Sequence, residues 1–236
     1  MTIDGIDIAV FGARQHNVTF DHNAIGNDSE WQDGAVLPFL RKNMVGFKSL
    51  TVRVIVKGED REEIVRNTSR LLGALMKPVD IGLEDYNHRF KGILKTYKKT
   101  ELAMKRFHAL ELSFDCYEYG ETVKKSGTGS ILIFNDGNIE SPCRLTVMPA
   151  ASSNYSTITG ISRGSKDGEE LAVTIAEMTA GKEIVLDGIN GIFTLDGSPD
   201  SGIDIWTLPS LKPGLNEIVC SAGQAYMTCE LMPMYM

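Results

Sequence analysis

Four histidines, four cysteines and one aspartate-rich loop are the residues of this 236-residue chain whose types could carry acid–base, nucleophilic or metal chemistry. His16, His22, His88 and His108 fall in separate segments, none in an H-E-x-x-H pair or beside paired carboxylates at helical spacing, so they read as surface or hydrogen-bonded side chains. No G-x-S-x-G elbow sharpens a serine into a nucleophile, and the stretch Gly160 to Gly168 lacks the Lys-Ser/Thr of a phosphate loop. Cys116, Cys143, Cys220 and Cys229 contain no C-x-x-C pair, and three sit in runs that alternate like strands. Buried free thiols are the reading, with a disulfide or metal site as alternatives. The loop DGSPDSGID, Asp196 to Asp204, is superficially similar to a calcium loop. Pro199, the spacing and the missing terminal Glu break that pattern and leave a solvated turn, with calcium as a minor alternative. No nucleophile, base and orienter assemble, so the expectation is a protein that is no enzyme and carries no cofactor.

Those residues sit on a chain that changes character near residue 125. Residues 1 to 130 carry 19 Lys+Arg against 18 Asp+Glu, and residues 131 to 236 carry 5 against 13, so the net charge of -7 comes from the second part. The length suits two domains, and the composition places residues 1–124 in one, 125–130 (within the polar ETVKKSGTGS) in a linker, and 131–236 in another. A pI near 5.2 argues against nucleic acid, which needs a basic face. Lys98, Lys99, Lys105 and Arg106 read as a solvated hairpin turn. No apolar run of about 18 residues and no basic, apolar leader is present, so a membrane is not expected and a cytoplasm is the expected site of synthesis.

In the first module, Ile3 to Phe11 predicts a strand and His16 to Val36 a loop or short hairpin. Phe47 to Lys57 alternates strictly, with Leu50, Val52, Val54 and Val56 on one face and Thr51, Arg53, Ile55 and Lys57 on the other. Residues 59–76 have helical spacing at Ile64, Val65, Leu71, Leu72, Leu75 and Met76, with Thr68 in the same stripe, an acidic first turn, and Pro78 beyond. Three further strands, Ile81 to Glu84, Arg89 to Tyr97 and Arg106 to Tyr117, complete an α+β domain whose antiparallel, sheet-like or barrel-like layer is covered by one main helix.

In the second module, ILIFNDGNIESPCRLTV predicts strand, turn, strand. Short strands follow at Leu171 to Ala176, Glu183 to Asp187, Gly191 to Leu195, Ile203 to Leu208, Asn216 to Ser221 and Tyr226 to Met232. Their spacing predicts a β-sandwich or jelly roll. The methionine-rich end, YMTCELMPMYM, reads as a final core strand or as a partner contact. Trp31 reads as a loop anchor or an interface residue.

The order and spacing of FKSLTVRVIVKGEDREEIVRNTSRLLGAL, RFKGILKTY, IFNDGNIESPCRLTV and LPSLKPGLNEIVC make the chain resemble the siphophage distal tail protein family, Dit, also found in Gram-positive prophages. The resemblance covers nearly the whole chain. It implies an N-terminal domain assembled as a homohexameric ring, possible stacking of such rings, and an all-β galectin-like sandwich projecting from the ring. It further implies a structural virion protein at the distal end of the tail, made in the host cytoplasm, that joins the tail tube to the tip or baseplate. The implied partners are itself, the tail tube and tape-measure proteins, a tail-associated lysin and receptor-binding proteins.

Hub rings need a heterologous contact that closes under rotation. The suspected ring interface is the strand carrying Arg53, Ile55 and Lys57 together with the loop before it. The alternative from another class is a carbohydrate-binding module, for which Trp206 is the one candidate sugar platform; in its alternating run Trp206 reads equally as core or interface. The second module has no histidine, unlike the sugar sites of galectins, and fold alone assigns no ligand.

Overall fold

The computed structural model describes every residue except 31–35, 37–38, 102–105, 162–171, 200–202 and 205–206, and for 27–30, 39–44, 101 and 204 the backbone alone. It is mostly β, with one α-helix among the described residues. Contacts divide the chain into Met1–Tyr119, unit 1, and Gly120–Tyr235, unit 2.

Unit 1 contains strands β1 (Thr2–Ile3), β2 (Ile6–Asp7), β3 (Ala13–Asp21), β4 (Ile25–Glu30), β5 (Phe39–Val45) and β6 (Lys48–Lys57). After helix α1 (Arg61–Ala74) come β7 (Val79–Gly82), β8 (Arg89–Glu101) and β9 (Phe107–Tyr119). An antiparallel sheet runs in the order β2-β1-β7-β8-β9-β6-β3, and β4 and β5 form a separate hairpin. The period-two pattern of β6 is realised: Leu50, Val52, Val54 and Val56 are fully buried while Arg53 and Lys57 are exposed. Leu110, Leu112, Phe114 and Cys116 of β9 join them, with Phe90 of β8 and Val79 and Ile81 of β7. Each such aliphatic or aromatic side chain contributes about 1.5–3 kcal/mol by leaving water.

Helix α1 covers this face. Asp60 caps it by accepting from Glu63 N at 2.8 Å, while Glu63 Oε2 reaches back to accept from Glu59 N, the residue before the cap, at 2.6 Å. The cap sets the helix start at Arg61, two residues inside the expected 59–76. Gly58 precedes it because a Cβ there would lie 2.8 Å from Ile64. The buried stripe is Ile64, Asn67, Leu71 and Leu75, whereas Val65 and Met76 are exposed. Asn67 belongs to the stripe because its Nδ2 donates to Lys57 O at 3.2 Å, tying the helix to the end of β6.

Two expectations for unit 1 are corrected. Ile3 to Phe11 is no single strand: it turns back after Ile3, and Ile8–Phe11 is a 3-10 helix, capped by Asp7 accepting from Ala9 N at 2.9 Å and stopped by Gly12 at φ +64°. Of the loop or short hairpin expected over His16 to Val36, the loop is replaced by the end of β3 and by β4, the first strand of the β4–β5 hairpin. Strand β3 is an edge, exposed on both sides over most of its length, so no apolar alternation marks it; its backbone ladder to β6 creates it.

Unit 2 stacks two antiparallel sheets on one core. The first has the order β10 (Val123–Thr128), β21 (Tyr226–Leu231), β12 (Ser141–Met148), β15 (Ile184–Asp187), β16 (Ile192–Leu195), β17 (Ser198–Pro199), with β19 (Ser210–Leu211) on β12. The second has the order β11 (Ser130–Asn135), β20 (Gly214–Cys220), β13 (Ser153–Thr159), β14 (Val173–Met178), β18 (Ile203–Asp204). Residues 125–130, expected as a linker, lie in β10 and at the start of β11. Their polar character is that of an edge strand whose partner, β21, supplies the order through backbone bonds.

The strand, turn, strand reading of ILIFNDGNIESPCRLTV needs one change: β11 and β12 do not pair with each other but belong to opposite sheets. The buried Asn135 at the crossing explains this. Its Oδ1 accepts from Gly137 N at 2.9 Å and Ser141 Oγ at 3.3 Å, and its Nδ2 donates to Leu211 O at 3.0 Å. All four cysteines are buried free thiols. Cys229 beside Cys143 and burial together push the Cys143 thiol far up, which keeps it neutral.

Candidate functional site

The side of unit 1 along β3 gathers the features suited to assembly. Among the described residues strand β3 pairs only with β6 and forms one edge of the sheet. A bulge between Gln15 and Asn17 interrupts its ladder, the device by which natural edges limit indiscriminate pairing.

At the start of β3 lies an open groove of about 800 Å³ lined by Arg14, His16, Ile55, Lys57, Glu84 and Asp85 among others. Gln15 fixes one wall, its Oε1 accepting from Glu84 N at 3.2 Å. Cations from β3 and β6 thus share the groove with carboxylates from the turn after β7, a bipolar lining suited to polar protein contacts.

At the other end, the β4–β5 hairpin is rooted by Ala24 N donating to Phe47 O at 3.2 Å, Gly46 N to Ala24 O at 2.7 Å, and Asn23 Nδ2 to Gly46 O at 2.7 Å. Around that root stand four exposed apolar side chains: Phe20, Ile25, Val45 and Phe47, the last 64% exposed. Ile25 and Val45 face each other across the hairpin. Exposed large apolar groups that adjoin in space mark interaction surfaces, and Ile25 and Val45 are such a pair.

The base of this surface is held by a buried charged network. Lys48, at the first position of β6, donates to Glu118 Oε2. Glu118 Oε1 meets Tyr86 Oη at 2.7 Å and His88 Nδ1 at 2.6 Å. Lys48 and Glu118 are both almost wholly buried. Burial alone would raise the Glu118 carboxyl, but hydrogen bonds from Lys48, His88 and Tyr86 outweigh it and hold the group below the usual carboxylate range. Burial and the bond to Glu118 push the Tyr86 hydroxyl up to about 12. The Phe20 ring packs above, 5.8 Å from Tyr86, 6.2 Å from Phe90 and 5.8 Å from the Lys48 ammonium.

Of the residues expected at an interface, Ile55 and Lys57 line the groove, while Arg53 lies further along β6, opposite Asn17 on one side and Glu111 on the other. All three point away from the buried face. Strand β6 is interior to the sheet, so it offers a face and no edge; the edge beside it belongs to β3. Trp31, Trp206 and Lys105 lie outside the described residues.

Phe20, Phe47, Lys48 and Glu118 are the residues that the pattern reading passed over. Lys48 continues the Leu50, Val52, Val54, Val56 phase, and Glu118 continues the Leu110, Leu112, Phe114, Cys116 phase. Opposite charges one step beyond two buried faces were the available signal.

Among the described residues no three His, Cys, Asp or Glu side chains cluster to hold a metal ion, and no helix is long and apolar enough to cross a membrane.

The sequence matches no protein-family model and no curated protein. The fold has known counterparts. It is similar to the Dit protein (gp 19.1) of phage SPP1, described as a paradigm of the hub adsorption apparatus in phages infecting Gram-positive bacteria. The TM-score is 0.77 at 15% identity, over 99% of this chain and 98% of that one. It is also similar to a chain of the phage P2 baseplate in its activated conformation with calcium, with a TM-score of 0.53 at 10% identity over 96% and 92% of the chains. The strontium form of that baseplate gives 0.52 at 11% identity, with the same shares.

Proposed function

We propose that this chain is a structural phage tail protein, a Dit-like distal tail hub that joins the tail tube to the baseplate or tip used in host adsorption. The observation that carries the reading is the end-to-end likeness to the SPP1 hub protein, with both units included and almost nothing left over in either chain. In this reading unit 1 is the ring-forming α+β domain and unit 2 a galectin-like sandwich. The ring is homohexameric and closes through heterologous contacts along β3, its groove and the exposed apolar side chains at the root of the β4–β5 hairpin. Arg53, Ile55 and Lys57 flank that contact. Tail tube, tape-measure, lysin and receptor-binding proteins are the class of partner on its two sides, and the virion is its final location. No catalytic role is assigned.

The test is the mass of the purified full chain by light scattering, with negative-stain images of the same sample. A six-membered ring is expected. Phe47→Asp should lower the mass toward the monomer, because one buried interface aromatic typically carries about 2 kcal/mol or more. Arg53→Glu with Lys57→Glu should weaken the ring by less. Monomeric protein at every concentration measured, or a ring indifferent to all three changes, would overturn the reading or its placement.

A further inference from the structure

Unit 2 carries a second surface, distinct from the strip along β3. Strand β11, Ser130–Asn135, is an outer strand of its sheet and among the described residues pairs only with β20. Cys220 N donates to Gly129 O at 2.9 Å, and Ile131 and Ile133 sit opposite Ile218 and Asn216. That alternation turns the N–H and C=O groups of Ile131 and Ile133 toward β20 and those of Leu132 and Phe134 away from it. The edge has no proline, no charge, no bulge in its register and no covering strand among the described residues. Natural edges normally carry at least one of these protections.

The side chains beside this edge are equally unprotected. Leu132 is 61% exposed, Phe134 59% and Leu215 71%, with Val219 behind them on β20. Phe134 lies directly across from Leu215, and Leu132 across from Glu217. Glu217 is the one charged residue on the two strands. It is exposed and makes no ion pair among the described residues.

We infer that the β11 edge and its Leu132–Phe134–Leu215 patch form a docking site for an extended segment of a partner protein, added as a further strand, with apolar residues at alternate positions and a Lys or Arg that meets Glu217. Two observations choose this occupant over a second copy of the chain. Four side chains offer on the order of 400 Å², about half of what each partner of a stable dimer buries. An added strand makes up the difference with main-chain hydrogen bonds. Residues 131 to 236, moreover, carry 13 acidic against 5 basic side chains, so a cationic segment is drawn to this unit and another copy of it is repelled. The inference goes beyond the hub reading and does not need the ring.

The experiment uses the full chain and a fluorescently labelled eight-residue peptide of alternating valine and threonine with one central lysine, together with its twin bearing glutamate there. Fluorescence anisotropy should show saturable binding of the lysine peptide and weaker binding of the twin. Leu132→Pro removes an outward N–H without touching the ladder to β20 and should weaken binding about tenfold. Glu217→Lys should weaken the lysine peptide about threefold and favour the twin. Both variants should retain the parent's circular dichroism and assembly mass, which separates this result from any failure of the ring. Absence of saturable binding, or binding indifferent to Leu132→Pro and Glu217→Lys, would overturn the assignment. So would a concentration-dependent doubling of mass that Leu132→Pro abolishes, since a second copy would then be the occupant.

Discussion

The two units solve the problem of polar groups in a β core in different ways. Unit 1 buries a formal ion pair, Lys48–Glu118, and spends both carboxylate oxygens on Lys48, Tyr86 and His88. Unit 2 centres on the neutral Asn135, which clasps the backbone at Gly137 and Leu211 and the Ser141 hydroxyl, and its buried carboxylate, Asp187, is spent locally on Ile189 N and Asn190. An ion pair of this kind ties distant elements together, here β6, β9 and the segment before β8, but leaves an uncompensated charge if either member is lost. An asparagine clasp shapes one crossing between sheets and loses only hydrogen bonds. These two networks sit beneath the β3 surface in unit 1 and where the chain changes sheets in unit 2.

The largest expected effect comes from breaking the ion pair. Glu118→Gln should destabilise unit 1 by about 3–5 kcal/mol, seen as lost amide-exchange protection in β6 and β9 while β12 and β21 keep theirs. Pairing Lys48→Met with Glu118→Leu should recover most of that loss. If the single change costs no more than an exposed substitution, the contrast between the units is wrong.

Acid sharpens the same comparison. The folded-state pKa of Glu118 lies below its unfolded value, so its contribution is fully present above the ordinary carboxylate range. It is lost as pH falls through the lowered folded value. Protection in β6 and β9 should fall in acid, and Glu118→Gln should flatten that dependence.

The clasp comes next. Asn135→Leu leaves the Gly137 amide and the Leu211 carbonyl without their partner and should cost about 1–3 kcal/mol, localised to unit 2. The smallest effect is at the helix cap, where Asp60→Ala should lower thermal stability by about 1 kcal/mol. A cap effect as large as that of Asn135 would mean that the crossing in unit 2 is looser than its bonds suggest.

Pattern reading reached the elements whose sequence carries their environment. Strand β6, helix α1 and the apolar face of β9 announce themselves because one side is buried and the other wet, which imposes a period. It failed at β3 and at β10, both edge strands. Their side chains are exposed on both faces along most of their length, so no period is imposed, and the order comes from the backbone of a neighbour distant in sequence. It also failed at Ile3 to Phe11, where apolar composition suits a strand but the Asp7 cap and the left-handed Gly12 close a short helix. The candidate site fared likewise. Ile55 and Lys57 could be placed on the outward face from alternation, but Phe20 and Phe47 could not be joined to them.

By itself the sequence determined the two-part division of charge, the buried strands, the capped helix and the order of motifs that resembles the Dit family, because each of these is written in local residue periods and compositions. Tertiary structure alone decided which strands are edges, that β11 and β12 part to opposite sheets, and that Lys48 finds Glu118 seventy residues away. The reason is physical: exposure, pairing and charge compensation are properties of neighbours in space, and the β topology brings those neighbours from far along the chain.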